Sequence, residues 1–390
     1  MNSKIIPIYL LNFLLAVTTT IGMTIVPILA TEKLGMSLLI LGLIEGGSEL
    51  ISNLLRLVTG NIFDRIKNRR ILFILPPIFA FIAKILLYLP STATILISKV
   101  VERIGNGMFA APRDAFIGEN APDKGIALGW LSVSKTLGCV VGPLLVSAYV
   151  YLFSGSLIDH IFEIVILACL INFMGVGLSF LVNAKKIDKV VSSDKNEDEN
   201  EFDLKKMNSS FKSLLPLFIL SFCFFLARFN DSLILIYLKN QGYPEWYYVA
   251  TISFFNAVMF LVSPCMGYLI DKGKDKHILI MTIISLLGFN ILFSQIDGIS
   301  WILASFGLIL WGVQRAGAQI TFTALIFKNI SASYYGTAVG VYSVISGVGV
   351  LIASTVCGKL AQGSFNYIFI YSGVFSLISL VLVLYIYYRK

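Results

Sequence analysis

The sequence predicts an all-α membrane protein, with twelve transmembrane helices in two six-helix bundles related by pseudo-twofold symmetry. Three observations predict it. First, 57% of the 390 residues are hydrophobic and 13% are charged, whereas soluble domains carry roughly a quarter charged residues. Second, apolar runs recur along the chain at about 20 residues or more, the length a helix needs to cross a bilayer. Third, one polar pattern occurs twice. "GNIFDRIKNRRIL" from Gly60 and "GYLIDKGKDKHIL" from Gly267 share Gly60/Gly267 and Asp64/Asp271, a basic cluster, Ile71/Ile278 and Leu72/Leu279. Helices satisfy their own backbone groups in lipid, and the alternating code of a membrane barrel is absent.

The apolar spans fall at 5–31, 36–59, 71–89, 92–118, 124–152 and 160–183, then at 212–238, 245–270, 277–296, 299–327, 334–358 and 365–388. The first is too long for a signal-peptide core and lacks a small-residue cleavage site, so it reads as a retained helix. Between the sixes lies "AKKIDKVVSSDKNEDENEFDLKKMNSSF". Its mixed charge and lack of apolar periodicity read as a solvated linker. The expected organisation is an N-terminal bundle at 1–183, a linker at 184–211 and a C-terminal bundle at 212–390.

The net charge is +8, but the basic residues sit in short loops, where they set topology; nucleic acid is not an expected partner. One side collects Arg65, Lys67, Arg69, Arg70, Arg113, Lys124, Lys272, Lys274, Lys276, Lys328, Arg389 and Lys390; the other has only Lys33, Lys239 and Lys359 near loops. Both termini and the linker are therefore expected in the cytoplasm. The five cysteines lie within apolar runs with no Cys-x-x-Cys spacing and read as packing residues. No Walker-type phosphate loop is present, His160 and His277 lack metal-ligand spacing, and no Ser/His/Asp set is supported by context. An enzyme is not expected, nor any cofactor or metal.

The repeated pattern has a physical reading. Gly60 and Asp64 are four apart, so they share a helix face. The glycine admits a neighbouring helix, and the carboxylate suits the positive N-terminus of another helix. Gly267 and Asp271 repeat the arrangement beside Lys272. A second echo, "ERIGNG" at Glu102–Gly107 and "QRAGAQ" at Gln314–Gln319, places Arg-x-Gly in the fourth and tenth spans. Parallel repeats with a site between them near mid-bilayer mark one class of secondary transporter.

With these motifs in hand, the chain resembles the major facilitator superfamily over essentially its whole length. Gly60, Asp64 and Arg65 match the family's loop signature, Gly-x-x-x-Asp-Arg-x-Gly-Arg-Arg, with Lys67 in place of the second glycine. Arg103–Ala111 resembles its helix-4 signature, and Gly138–Pro143 the Gly-x-x-x-Gly-Pro signature of helix 5, commonest in proton antiporters. The resemblance implies a bacterial-type secondary transporter working by alternating access in the inner membrane, probed by a small-molecule substrate and surrounded by lipid, with a monomer as the expected state. It also implies that Asp64 faces the start of span 11 near Ser331–Tyr334. The internal repeat then places Asp271 at the start of span 5 near Lys124–Gly125, with Arg65 or Arg69 available to Asp114. These contacts would clasp the two halves on the cytoplasmic side.

Charges inside the spans mark function by default, since each costs about 2.5–3.5 kcal/mol at mid-bilayer on insertion scales. Glu45 and Glu49, one turn apart, and Asp231 are the candidate proton carriers. Arg103, Lys135, Arg228 and Arg315, with Asn106, Gln314 and Gln319, are the candidate substrate contacts; Arg228 and Asp231, three apart, are expected to pair. Guanidinium groups suit carboxylate or phosphate, so an organic anion carried with protons is expected: a carboxylate metabolite or a siderophore-like compound. Export of amphipathic compounds is the alternative. Arg56, Lys84 and Lys99 are expected to snorkel towards headgroups.

Overall fold

The computed structural model describes residues 5–66, 68–121, 124–153, 156–182, 204–330 and 335–388. Among them the side chains of Gly60, Asp64, Arg65, Lys124 and Gly125, and the whole of Ser331–Tyr334, lie outside the described set, so the clasp expected of Asp64 and its partners does too. The helices are α1 (Ile6–Ile28), α2 (Leu38–Arg65), α3 (Ile71–Leu86), α4 (Thr92–Asn120), α5 (Lys124–Leu152) and α6 (Ile161–Ser179) in the first half. The second half holds α7 (Leu204–Ala227), α8 (Asp231–Asn240), α9 (Glu245–Asp271), α10 (Asp275–Ser294), α11 (Trp301–Asn329), α12 (Tyr335–Ala361) and α13 (Asn366–Tyr388). α7 and α8 form one broken span, so the described residues make twelve crossings. The two Gly-x-x-x-Asp patterns lie in the last turns of α2 and α9 rather than in loops.

Nine stretches among the described residues are long and apolar enough to cross a membrane by themselves. α3 is only 16 residues long, and α4 carries five charged side chains from Lys99 to Asp114. Both cross because neighbouring helices shelter them.

The halves meet through two helix pairs, α2 with α12 and α5 with α9. A pseudo-twofold axis demands this exchange, each pair being the image of the other. Small residues bring α2 and α12 together: a Cβ on Gly46 would lie 2.7 Å from Leu351 Cα. Between α5 and α9, Ser147 Oγ donates to Trp246 O at 2.7 Å, and Ser253 Oγ to Val140 O at 2.6 Å. Leu157 N donates to Glu245 Oε2 at 2.6 Å, and Lys239 pairs with Glu32 on the π-helical turn that ends α1. These contacts all lie between mid-membrane and the face opposite the repeated motifs. On that face the halves are closed against each other, and a chamber lies between them.

Gly138 and Gly142 of the helix-5 signature seat α5 against α1: a Cβ on Gly138 would come within 2.7 Å of Ala16 Cβ. Overpacking of this kind costs about 1–3 kcal/mol. Gly138→Val is therefore expected to lower the melting temperature of the purified protein. An unchanged melting curve would show that α1 and α5 separate freely.

Candidate functional site

The site forms where the seventh span breaks. Asn230 ends the break and caps α8, accepting a bond from Ser232 N at 2.5 Å; asparagine favours this cap because its side-chain oxygen satisfies an orphan N–H. Ser372 Oγ donates to the freed carbonyl of Ala227 at 2.5 Å, which meets the requirement that backbone groups in the bilayer find partners inside the protein. The break turns Arg228, Phe229 and Asn230 into the chamber. Its other lining residues are Met23, Glu45, Glu49, Asn53, Arg103, Phe225, Asp231, Arg315, Ser346 and Val350.

Asp231 opens α8, at the positive end of a helix. Its carboxylate accepts from Trp311 Nε1 at 2.9 Å and pairs with Arg315. Sequence spacing paired it with Arg228; α11 supplies the ion-pair partner instead, and Arg228 stays in the field of Asp231 across the break. Arg228 makes no ion pair among the described residues. It lies over the Phe225 ring at 5.9 Å, in the field of Arg315, Asp231, Glu49 and Tyr342. Arg315 also rests over Phe255 at 5.1 Å. Across the chamber Arg103 Nη1 lies 3.6 Å from Glu49 Oε2, and Arg103 Nε has no partner among the described residues.

Behind this wall is a cluster that the sequence reading missed. Lys84 and Lys99 do not snorkel. They are 0% and 1% exposed, with Lys84 Nζ 2.6 Å from Glu102 Oε1 and Lys99 Nζ 2.6 Å from Glu45 Oε1. Glu102 and Arg103 are adjacent on α4 and so point about 100° apart: Arg103 faces the chamber and Glu102 faces α3. Spacing alone did not pair them: antiparallel packing sets Ala83 level with Ser98, whose Oγ donates to Ala83 O at 2.7 Å, so Lys84 reaches Glu102 about one turn deeper along its length. Counting these mid-membrane groups, five cations (Lys84, Lys99, Arg103, Arg228, Arg315) face four carboxylates (Glu45, Glu49, Glu102, Asp231). Arg228 is the unmatched one.

The other candidates are distributed. Asn106 Nδ2 donates to Thr19 Oγ1 at 3.4 Å. Lys135 is exposed nearer the motif face, in the field of Arg113, Arg56 and Asp114. Gln319 is exposed; Gln314 is fully buried, outside the chamber lining, with neither amide atom bonded among the described residues. Asp114 pairs with Arg56 at 3.3 Å and Arg113 at 2.8 Å. Arg69 pairs instead with Glu119 at 2.6 Å and donates to Phe63 O at 3.0 Å, so it braces α4 within its own half. In the second copy of the motif, Gly267 has open space beside it, Asp271 is exposed, and Lys272 lies over Tyr268 at 4.4 Å.

Comparison with known proteins places this architecture. The Major Facilitator Superfamily model matches residues 8–354. An uncharacterized MFS-type transporter of Methanocaldococcus jannaschii is 27% identical, over 97% of this chain and 94% of its own. A second from the same organism is 25% identical over 93% of each chain. A variant of the nucleoside transporter NupG superposes with a TM-score of 0.82 at 11% identity, covering 99% of this chain and 100% of that one. A POT family transporter in complex with a thioalcohol conjugated peptide gives 0.79 at 14% identity, covering 98% and 95%. At such identities the likeness to solved structures is one of fold. Two six-helix halves, a chamber between them and a family match over most of the chain agree: this is a membrane transporter, not an enzyme, and it belongs to the Major Facilitator Superfamily.

Proposed function

We propose that the protein moves a small organic anion, a carboxylate metabolite or a siderophore-like compound, across the cytoplasmic membrane by alternating access coupled to protons. The observation that carries this reading is Arg228: a guanidinium lining the chamber between the halves, with no ion pair among the described residues. The half-buried guanidinium has Phe225 and Phe229 beside it in the chamber wall and so is only partly hydrated. A substrate carboxylate would supply an ion-pair partner, with two-pronged geometry. Arg103 and Arg315, each already held by an acid, flank it; Asn106 and Lys135 extend the polar surface towards the motif face. Protons would enter through Glu45, Glu49 or Asp231.

With the basic motif face in the cytoplasm, the closed face is the outer one. The clasps expected of Gly60, Asp64, Arg65 and Asp114 in one half, and of Gly267, Asp271 and Lys272 in the other, would then engage when the outside opens. The exposure of Asp271 accords with that. Export of amphipathic compounds is the second reading, favoured by Gly138, Gly142 and Pro143.

Proteoliposomes separate the two. A gradient of one pH unit, about 1.36 kcal/mol per proton, sustains about tenfold accumulation of a carboxylate in electroneutral symport. Carboxylate accumulation driven by outside acid is the expected result. Extrusion of lipophilic cations with no carboxylate movement would overturn the anion reading.

A further inference from the structure

We propose that Glu49 sets the charge of the substrate, reserving the chamber for monocarboxylates against dicarboxylates of similar size. The inference rests on the anion reading above and narrows it. It starts from a charge count among the described residues. Three arginines line the chamber, Arg103 from the first half and Arg228 and Arg315 from the second, and so do three carboxylates, Glu45, Glu49 and Asp231. Glu45 is taken by Lys99 behind the wall, 2.6 Å away and buried with it. Two acids are then left for three arginines. A substrate with one negative charge balances them, whereas a substrate with two leaves a carboxylate over. When the halves close around the substrate, water no longer screens that extra charge, and an uncompensated charge away from water is costly.

The two remaining acids are held differently. Asp231 accepts from Trp311 Nε1 at 2.9 Å, pairs with Arg315 and is buried, so it is a fixed part of the wall. Glu49 has one ion pair among the described residues, with Arg103, and at 3.6 Å it is longer than a hydrogen bond. Its side chain is 46% exposed, and it stands in the field of Arg228 and Arg315 of the other half as well. Glu49 is a tethered carboxylate lying among the guanidinium groups that a substrate carboxylate would use.

That placement has two effects of the same sign. Glu49 neutralises one of the three arginines, and it repels a second substrate carboxylate brought to the same cluster. Like charges set against each other are a common means of rejecting the wrong partner. The first substrate carboxylate still has Arg228, whose fork offers two parallel donors. Met23, Phe225, Phe229 and Val350 also line the chamber. That apolar surface suits the uncharged body of a substrate and gives a second carboxylate no partner. Glu49→Gln keeps the shape of the side chain and leaves three arginines against Asp231 alone, a surplus that a dicarboxylate would fill.

Probes matched in size test this on the full chain in lipid nanodiscs. Succinate and succinamate differ by one charge; glutarate with its monoamide, and terephthalate with its monoamide, extend the panel to longer and flatter bodies. Isothermal titration at about pH 8, where carboxylates are ionised, measures each affinity. The parent is expected to prefer the monoanion of a pair about tenfold or more, and this is read without any variant. In Glu49→Gln the ratio of the two affinities should move about tenfold or more towards the dianion, the size of a charge-assisted contact. Glu49→Asp keeps the charge and should keep the parent's preference. Because Glu49 is half exposed and loosely held, the melting curves of all three should coincide. A parent that binds the dianion as tightly as the monoanion, or a Glu49→Gln variant whose ratio does not move, overturns the proposal and leaves the anion reading standing. Loss of the preference in Glu49→Asp overturns it in favour of side-chain length. If no member of the panel binds to parent or variant, the proposal and the anion reading fall together.

Discussion

Arg228→Ala is expected to abolish high-affinity substrate binding while leaving the fold intact. The side chain borders open space and makes no ion pair among the described residues, so its removal strands no carboxylate. What it would lose is a charge-assisted contact with the substrate, about 1.5–3 kcal/mol, or about 10- to 150-fold in affinity at 1.4 kcal/mol per factor of ten. Arg228→Lys keeps the charge but not the fork, and should fall between the two. Isothermal titration with the transported carboxylate, alongside thermal melting, checks this. Unchanged affinity in Arg228→Ala would show that the surplus charge is a structural feature of the helix break.

The second large effect concerns Lys84 and Glu102. Removing one member of a buried ion pair leaves an uncompensated charge and costs about 3–5 kcal/mol, whereas replacing both with apolar residues of similar volume is often neutral or stabilising. A Cβ on Gly22 of α1 would meet Lys84 Nζ, and the two charged side chains are 0% and 3% exposed. Lys84→Ala alone and Glu102→Ala alone are therefore expected to melt well below the parent, and Lys84→Met with Glu102→Leu to recover most of the loss. Thermal unfolding in detergent measures all three. If the double variant is as unstable as the singles, the pair acts through something other than mutual neutralisation.

The two effects differ because one guanidinium faces the chamber and the other charges face protein. Nothing in their local sequence distinguishes them. Arg228, Lys84 and Lys99 each stand within a run of apolar residues. Helical spacing paired Arg228 with Asp231 three residues on, but α7 ends at Ala227, before either of them, and the carboxylate turns to Trp311 and Arg315 some eighty positions away. Lys84 and Lys99 read as snorkelling residues for the same reason: each helix by itself is amphipathic enough to float its lysine to the headgroups. Only packing of α3 on α4, and of α4 on α2, delivers Glu102 and Glu45 to them. Arg69 likewise had several acids within reach along the chain, and the turn after α2 chose Glu119.

What the sequence determined by itself is the crossing of the bilayer. Span length, the scarcity of charge and the duplicated glycine–aspartate pattern each reflect a one-dimensional demand, the thickness of the hydrocarbon layer or the placement of loops, and these are written residue by residue. Arg103 against Glu102 belongs here too, since adjacent residues on a helix must face different ways. The tertiary structure decided which charges neutralise each other, which one is left over, and which face of the molecule is shut. Those are properties of contacts between helices far apart in the chain, and in a low-dielectric interior an interaction that depends on a few ångströms outweighs any preference the local sequence expresses.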